Sequence, residues 1–326
     1  MTHSPTLSVE NLKTHFFTRA GVVKAVDGVS FDVRPGEILG LVGESGSGKS
    51  ITGFSILGLV DPPGRIVSGA VRFKGDDITR FDDDRLRGLR GNRIAMIFQD
   101  PMMTLNPVLR IDTQMVETVQ AHARVSNGEA LERAREALSL VGIPAPERRL
   151  KAYPHELSGG MRQRVAIAIA FINKPDLVIA DEPTTALDVT IQAQILHEAQ
   201  ELCRKTGTAM LWITHDLAVI SALADRIAVM YAGRIVETGT ADEVIARPLH
   251  PYTQGLLGSV PTRNQRGTRL TQIPGMTPSL LNLGRGCAFA ARCNKVLPAC
   301  ADEPAVAEPS PGRQVRCIRP LVEVPA

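Results

Sequence analysis

Gly43-Glu44-Ser45-Gly46-Ser47-Gly48-Lys49-Ser50 is a loop dense in glycine and serine that ends in a lysine and a serine. It fits the phosphate-binding loop pattern G-x-x-x-x-G-K-[ST]. An apolar run, Ile38-Leu39-Gly40-Leu41-Val42, precedes it and reads as a buried strand, and a helix-compatible run from Ile51 to Leu59 follows. Glycines let backbone N–H groups converge on phosphate oxygens that larger side chains would hold off. Lys49 is placed to reach the outer phosphates and Ser50 to offer its hydroxyl to Mg²⁺. On its own the loop implies a nucleotide and nothing finer.

Far downstream stands Leu157-Ser158-Gly159-Gly160-Met161-Arg162-Gln163-Arg164. Ser158 precedes a helix-compatible run from Met161 to Asn173 and is suited to cap it. A helix start with a free hydroxyl and the positive end of the macrodipole is a second anion site. Two such sites in one chain suggest two copies face to face with ATP between them. This segment resembles the signature of ATP-binding-cassette (ABC) ATPases. The resemblance implies that Ser158, Gly159, Gly160 and Gln163 address the partner's ATP, while residues 43–51, from Gly43 to Ile51, hold the chain's own.

Further segments fall in the order that family requires. Leu177-Val178-Ile179-Ala180-Asp181-Glu182 is an apolar strand ending in two carboxylates. By resemblance Asp181, with Ser50 and Gln99, orders Mg²⁺, and Glu182 is the general base toward the attacking water. Ala186-Leu187-Asp188 matches the D-loop, His215 the switch histidine and Gln99 the Q-loop glutamine. The family also places an aromatic residue after the first strand to stack on adenine. Phe16 fits by position, and Phe17 is the alternative.

Composition agrees. The chain has 326 residues, 44% hydrophobic and 22% charged, as an ordinary globular protein of roughly two domains does. A net charge of +3, with no basic run interleaved with aromatics, argues against a nucleic-acid partner. The start, Met1-Thr2-His3-Ser4-Pro5, lacks the regions of a signal peptide. Apolar runs such as Val165 to Ile172 are far short of the roughly 20 residues that span a bilayer. The chain is therefore expected to be cytoplasmic, with membrane work left to partner subunits.

The expected fold is α/β: an ABC-type P-loop NTPase core with an antiparallel β-subdomain, an inserted helical subdomain and an irregular C-terminal extension bearing cysteines. Residues 1 to about 40 with Ile66 to Arg72 supply the antiparallel sheet. The helical insertion covers about 102–165, where Ala130, Leu131, Ala134, Ala137, Leu138 and Val141 recur at helical spacing. Strands at Leu177–Asp181, Ala209–Thr214 and Ile227–Tyr231, separated by helical segments, suit a parallel sheet. The ATPase domain is expected over 1–245 and the extension over 246–326.

The last 80 residues refine the resemblance. His250-Pro251-Tyr252-Thr253 and the cysteine-bearing tail are similar to oligopeptide/dipeptide permease ATP-binding subunits, as are Phe98-Gln99-Asp100-Pro101-Met102 and Asp181-Glu182-Pro183-Thr184-Thr185. Met103 departs from that family, where Thr is more common. The resemblance implies a peripheral ATPase on the cytoplasmic face of the inner membrane. Its partners would be a paralogous ATPase subunit in a heterodimer, two transmembrane permease subunits and, indirectly, an extracytoplasmic substrate-binding protein. Relatives carry peptides, glutathione or nickel complexes, so the cargo stays open. A soluble ABC ATPase on nucleic acid or ribosomes is the rival, but only 58 residues separate Gln99 from Ser158 and the cassette is single.

Four of five cysteines, Cys287, Cys293, Cys300 and Cys317, crowd into the tail, while Cys203 lies mid-helix. Disulfides are disfavoured in a reducing compartment. The gaps miss the short pairs of structural Zn²⁺ sites. Four thiolates at looser spacing suit a [4Fe–4S] cluster, and permease tails of this pattern resemble such modules. Zn²⁺ and reduced free thiols remain the alternatives. A metal centre is the expected source of order in so Pro- and Gly-rich a tail.

Overall fold

A computed structural model describes residues 4–184, 189–260 and 272–321. In chain order its elements begin with β1 (Leu7–Thr18), β2 (Gly21–Val33), β3 (Ile38–Val42), α1 (Lys49–Leu57), β4 (Gly64–Phe73) and β5 (Asp76–Asp77). Next come α2 (Asp83–Leu89), β6 (Ile94–Ile97), α3 (Ile111–Gln120), α4 (Asn127–Leu140), α5 (Pro146–Leu150), α6 (Gly159–Phe171), β7 (Leu177–Asp181) and α7 (Val189–Thr206). The remainder is β8 (Ala209–Thr214), α8 (Leu217–Leu223), β9 (Arg226–Tyr231), β10 (Arg234–Thr240), α9 (Ala241–Ala246), α10 (Pro251–Gly258), β11 (Ala307–Ser310) and β12 (Arg313–Val315). Two compact units divide the chain. One is Met1–Thr6, Val33–Glu37 and Arg80–Leu211; the other is Leu7–Asp32, Ile38–Thr79 and Trp212–Ala326.

The first unit holds the helical insertion. In α4, Ala130, Ala134, Ala137 and Leu138 form one buried stripe that meets α3 and α6. Leu131, counted with that stripe in the sequence, is instead 43% exposed, because it lies one residue round the helix from the packed face. Ser126 caps α4 by accepting from Glu129 N (3.2 Å). α6 is apolar nearly all round and correspondingly buried from Gln163 to Ala168. Its one deep charge, Arg164, donates to Gly142 O (3.1 Å) and pairs with Glu198 at 3.4 Å. Alongside, β6 and β7 pair in parallel, Ile94 opposite Leu177 and Ile97 opposite Ala180. β6 was not distinguished as a strand in the sequence; four residues are too few to show a period.

In the second unit the expected antiparallel sheet appears in the order β2-β1-β4-β5, with Leu7 opposite Phe73 and Phe16 opposite Gly64. β3 is buried along its whole length and pairs in parallel with β9, as a both-faces-covered strand of an α/β sheet does. From β9 the sheet continues antiparallel through β10 and β12 to β11. The C-terminal extension thus adds two short strands to β10, of four and three residues, a pairing too short for the sequence to disclose. Phe289 contributes further order: its ring, 4% exposed, meets Tyr231 at 5.3 Å, Tyr252 at 5.4 Å and His250 at 5.8 Å. Arg313 is buried and donates to the fully buried Glu237 carboxylate and to Arg247 O (2.9 Å). These contacts give the tail a source of order besides the metal centre expected from the sequence. No helix among the described residues is long and apolar enough to cross a membrane.

Candidate nucleotide-binding site

In the second unit, β3 delivers the chain into residues 43–48 and α1 begins at Lys49. Gly48 sits at φ 103°, and a β-carbon there would lie 2.1 Å from Ala25 O, so a larger residue cannot hold this turn. A β-carbon on Gly46 (φ 76°), by contrast, would meet nothing within 4 Å: the loop opens there. No side chain caps α1, and a helix start of this kind favours an anion. Lys49 is 5% exposed and its Nζ donates to Gly43 O (2.8 Å) and Glu44 O (3.0 Å). Ser47 Oγ is buried without a hydrogen-bond partner. Ser45 is exposed, and Ser50 and Ile51 are half-buried at the helix start. An open cradle, a helix start without a side-chain cap, an ammonium and an orphaned hydroxyl fit a polyphosphate. The Glu44 N–H donates to the Tyr252 hydroxyl (2.8 Å), and its carboxylate receives two N–H groups of Arg292.

Also in this unit, His215 is exposed just past the end of β8, followed by Asp216, which caps α8 by accepting from Ala218 N (2.8 Å). Phe16 is half-buried, its ring edge 2.6 Å from where a β-carbon of Gly64 would be. Phe17 is 40% exposed, and the Arg65 guanidinium lies 4.3 Å from its ring centre.

The first unit carries the carboxylates. Asp181 closes β7 and is 5% exposed. Glu182 follows at φ 45°, a left-handed conformation costly for a residue with a β-carbon and found where function over-determines the backbone. Gln99, exposed after β6, donates its Nε2 to Glu182 Oε2 at 3.4 Å. The structure therefore brings Gln99 and Glu182 together from positions 83 residues apart. Ser158 is the N-cap of α6, its Oγ accepting from Met161 N (3.3 Å), and it and Gly159 are exposed with Gly160 half-buried. Gln163, expected to address a partner's ATP, is 2% exposed, with its Nε2 lacking a hydrogen-bond partner. It lies one turn into α6 among the residues of that helix that are buried. Asp188 lies outside the described residues.

The tail thiols converge without closing into a ligand set. Cys287 N donates to Cys300 O (2.9 Å), Lys295 N to Cys293 Sγ (3.4 Å) and Leu297 N to Cys300 Sγ (3.5 Å). Burial pushes the Cys287 thiol up and the Cys317 thiol to about 11. Among the described residues no group of three or more His, Cys, Asp or Glu side chains is arranged to hold a metal ion. Cys203 is fully buried in α7, as its mid-helix position implies.

The "ABC transporter" family pattern matches residues 26–185, and the "Oligopeptide/dipeptide transporter, C-terminal region" matches residues 236–300. A "Probable peptide ABC transporter ATP-binding protein y4tR" of Sinorhizobium fredii is 52% identical over 316 residues, covering 96% of this chain and 94% of the relative. This chain belongs to the ABC transporter ATPase family. The "Oligopeptide transport ATP-binding protein OppD" of Escherichia coli is 46% identical over 318 residues, covering 98% of this chain and 94% of the relative. Among solved structures, the dimeric ATP-binding cassette MJ0796 with ADP and Pi superposes with a TM-score of 0.65 at 28% identity, covering 72% of this chain and 98% of that one. As an ABC ATPase the chain binds and hydrolyses ATP with Mg²⁺. Sequence reasoning missed Tyr252 and Arg292 as neighbours of the phosphate loop, since neither lies in an ATP motif.

Proposed function

We propose that this chain energises an ABC importer of di- and oligopeptides, working on the cytoplasmic face of the membrane with two transmembrane permease subunits and an extracytoplasmic binding protein. The observation that carries the cargo class is the oligopeptide/dipeptide C-terminal region over residues 236–300, in a chain aligned nearly end to end with peptide-transport ATPases. The rival, a soluble ATPase on nucleic acid, has no support from those relatives.

In this reading residues 43–51 and Lys49 hold the phosphates, Phe16 stacks on adenine, and Ser158, Gly159 and Gly160 offer their helix start to the γ-phosphate of a partner's ATP. Asp188, by resemblance alone, runs along the seam between the two ATPase subunits. Glu182 accepts the proton of the attacking water, with Gln99 and His215 sensing the γ-phosphate. Ser50, Gln99 and Asp181 are the residues that would hold Mg²⁺, which neutralises charge on the transferring phosphoryl group. The partner ATPase is a paralogue, forming a heterodimer. Co-expression with the neighbouring transporter subunits and native mass spectrometry test this: two permeases plus one copy each of two ATPases is expected. Two copies of this chain with no second ATPase would refute the pairing, and no permease would refute the importer.

For the tail, Cys287, Cys293, Cys300 and Cys317 are the proposed ligands, and Cys287 N donates to Cys300 O (2.9 Å) within that segment. Anaerobic purification with metal analysis decides among about four irons per chain, one zinc, and free thiols. Absence of both metals leaves the aromatic cluster and Arg313 as what holds the extension.

A further inference from the structure

Glu44 occupies a variable position of the phosphate loop, and its charge is of the wrong sign for the task. A free carboxylate at the mouth of the loop would repel an arriving triphosphate. Here it is not free. Arg292 Nη1 donates to Glu44 Oε2 at 2.6 Å and Nη2 to Oε1 at 3.0 Å, a two-pronged pair spanning 248 residues of sequence. The Arg292 side chain is 6% exposed against 27% for Glu44, so the pair is poorly reached by solvent and salt.

Arg292 is itself held. Its Nε donates to Pro274 O (2.9 Å), its Nη1 reaches the Tyr231 hydroxyl at 3.4 Å, and its backbone closes a tight turn onto Phe289 O (2.9 Å). The main chain of Glu44 is gripped as well, its N–H donating to the hydroxyl of fully buried Tyr252. The same residue's carbonyl accepts from Lys49 Nζ and from Ser47 N (3.2 Å). Glu44 is thus the point through which the C-terminal extension touches the carbonyl that steadies the phosphate-binding lysine.

We propose that Arg292 and Tyr252 are positioning residues for the phosphate loop, through which the C-terminal extension sets the chain's affinity for ATP. The proposal takes ATP at residues 43–51, as in the family. Arg292 cancels and withdraws the Glu44 charge, and Tyr252 fixes the loop backbone.

The test is a titration of the full-length chain with a fluorescent ATP analogue, paired with KM and kcat of the assembled transporter. Arg292→Met is expected to weaken nucleotide binding on the order of tenfold and to raise KM by the same factor, with kcat at saturating ATP kept within about twofold. Arg292→Lys restores part of the affinity. The Glu44→Gln/Arg292→Met double variant recovers most of it, because the charge needing cancellation is gone. Unchanged affinity in Arg292→Met overturns the proposal, as does strict additivity in the double variant. If Arg292→Met does not fold, Tyr252→Phe carries the test: several-fold weaker binding is expected, and wild-type affinity overturns it.

Discussion

Glu182 pairs an unfavourable backbone with the position where the attacking water must lose its proton, and its neighbour Gln99 already reaches its carboxylate. Glu182→Gln keeps the shape and removes the base. Phosphate release in the assembled transporter is expected to fall by about 10²–10⁴ while ATP binding persists; wild-type turnover would take Glu182 out of that role. Lys49→Ala should instead abolish tight ATP binding, seen in the same titration. His250 is a second residue whose surroundings dictate its behaviour. It is 1% exposed, its Nδ1 accepts from Tyr252 N (3.0 Å), and burial depresses its pKa to about 4. The neutral ring therefore belongs to the folded state, whereas the unfolded imidazole protonates near pH 6.5. Its contribution is complete above that pH and drains away as pH falls toward 4, reaching up to about 3 kcal/mol. His250→Asn keeps a capping oxygen without the titration, so urea unfolding at pH 7 and pH 4.5 should show a smaller acid loss than wild type. An equal loss would acquit His250.

Among elements, β12 shows how three residues hold an extension in place. Arg313 lies opposite no long apolar run; it enters the interior to meet Glu237 of β10, which also accepts from Leu249 N (2.7 Å) and His250 N (2.9 Å). Desolvation still pushes the Glu237 carboxyl up, so the pair is held against its own burial cost. Arg313→Met, which strands a buried carboxylate, is expected to cost about 3–5 kcal/mol in denaturant unfolding. The Glu237→Gln/Arg313→Met double variant should lose less, and a double variant losing more than the single would contradict this account. Long amphipathic elements such as α4 were legible because their burial repeats every turn. Strands as short as β6 and β12 were not, since pairing partners and not periodicity define them.

At the scale of the whole molecule, the phosphate loop belongs to one compact unit and the carboxylates of Asp181 and Glu182 to the other. Ending the chain at residue 259 removes Phe289, Arg292 and Arg313 together. The melting temperature is expected to drop by roughly 10 °C, and ATP affinity to fall with it; an unchanged melting curve would make the extension a passenger. The ATPase motifs, their order and the family were legible in the chain, because a phosphate cradle or a helix start needs contiguous residues at a set spacing. The buried course of β3 and the capping role of Ser158 were readable for the same reason. The burial of Gln163, the left-handed backbone of Glu182 and the reach of Arg292 to Glu44 come from the folded packing alone. Such outcomes depend on which distant groups share a desolvated space, and pairing across 248 residues leaves no local pattern to read.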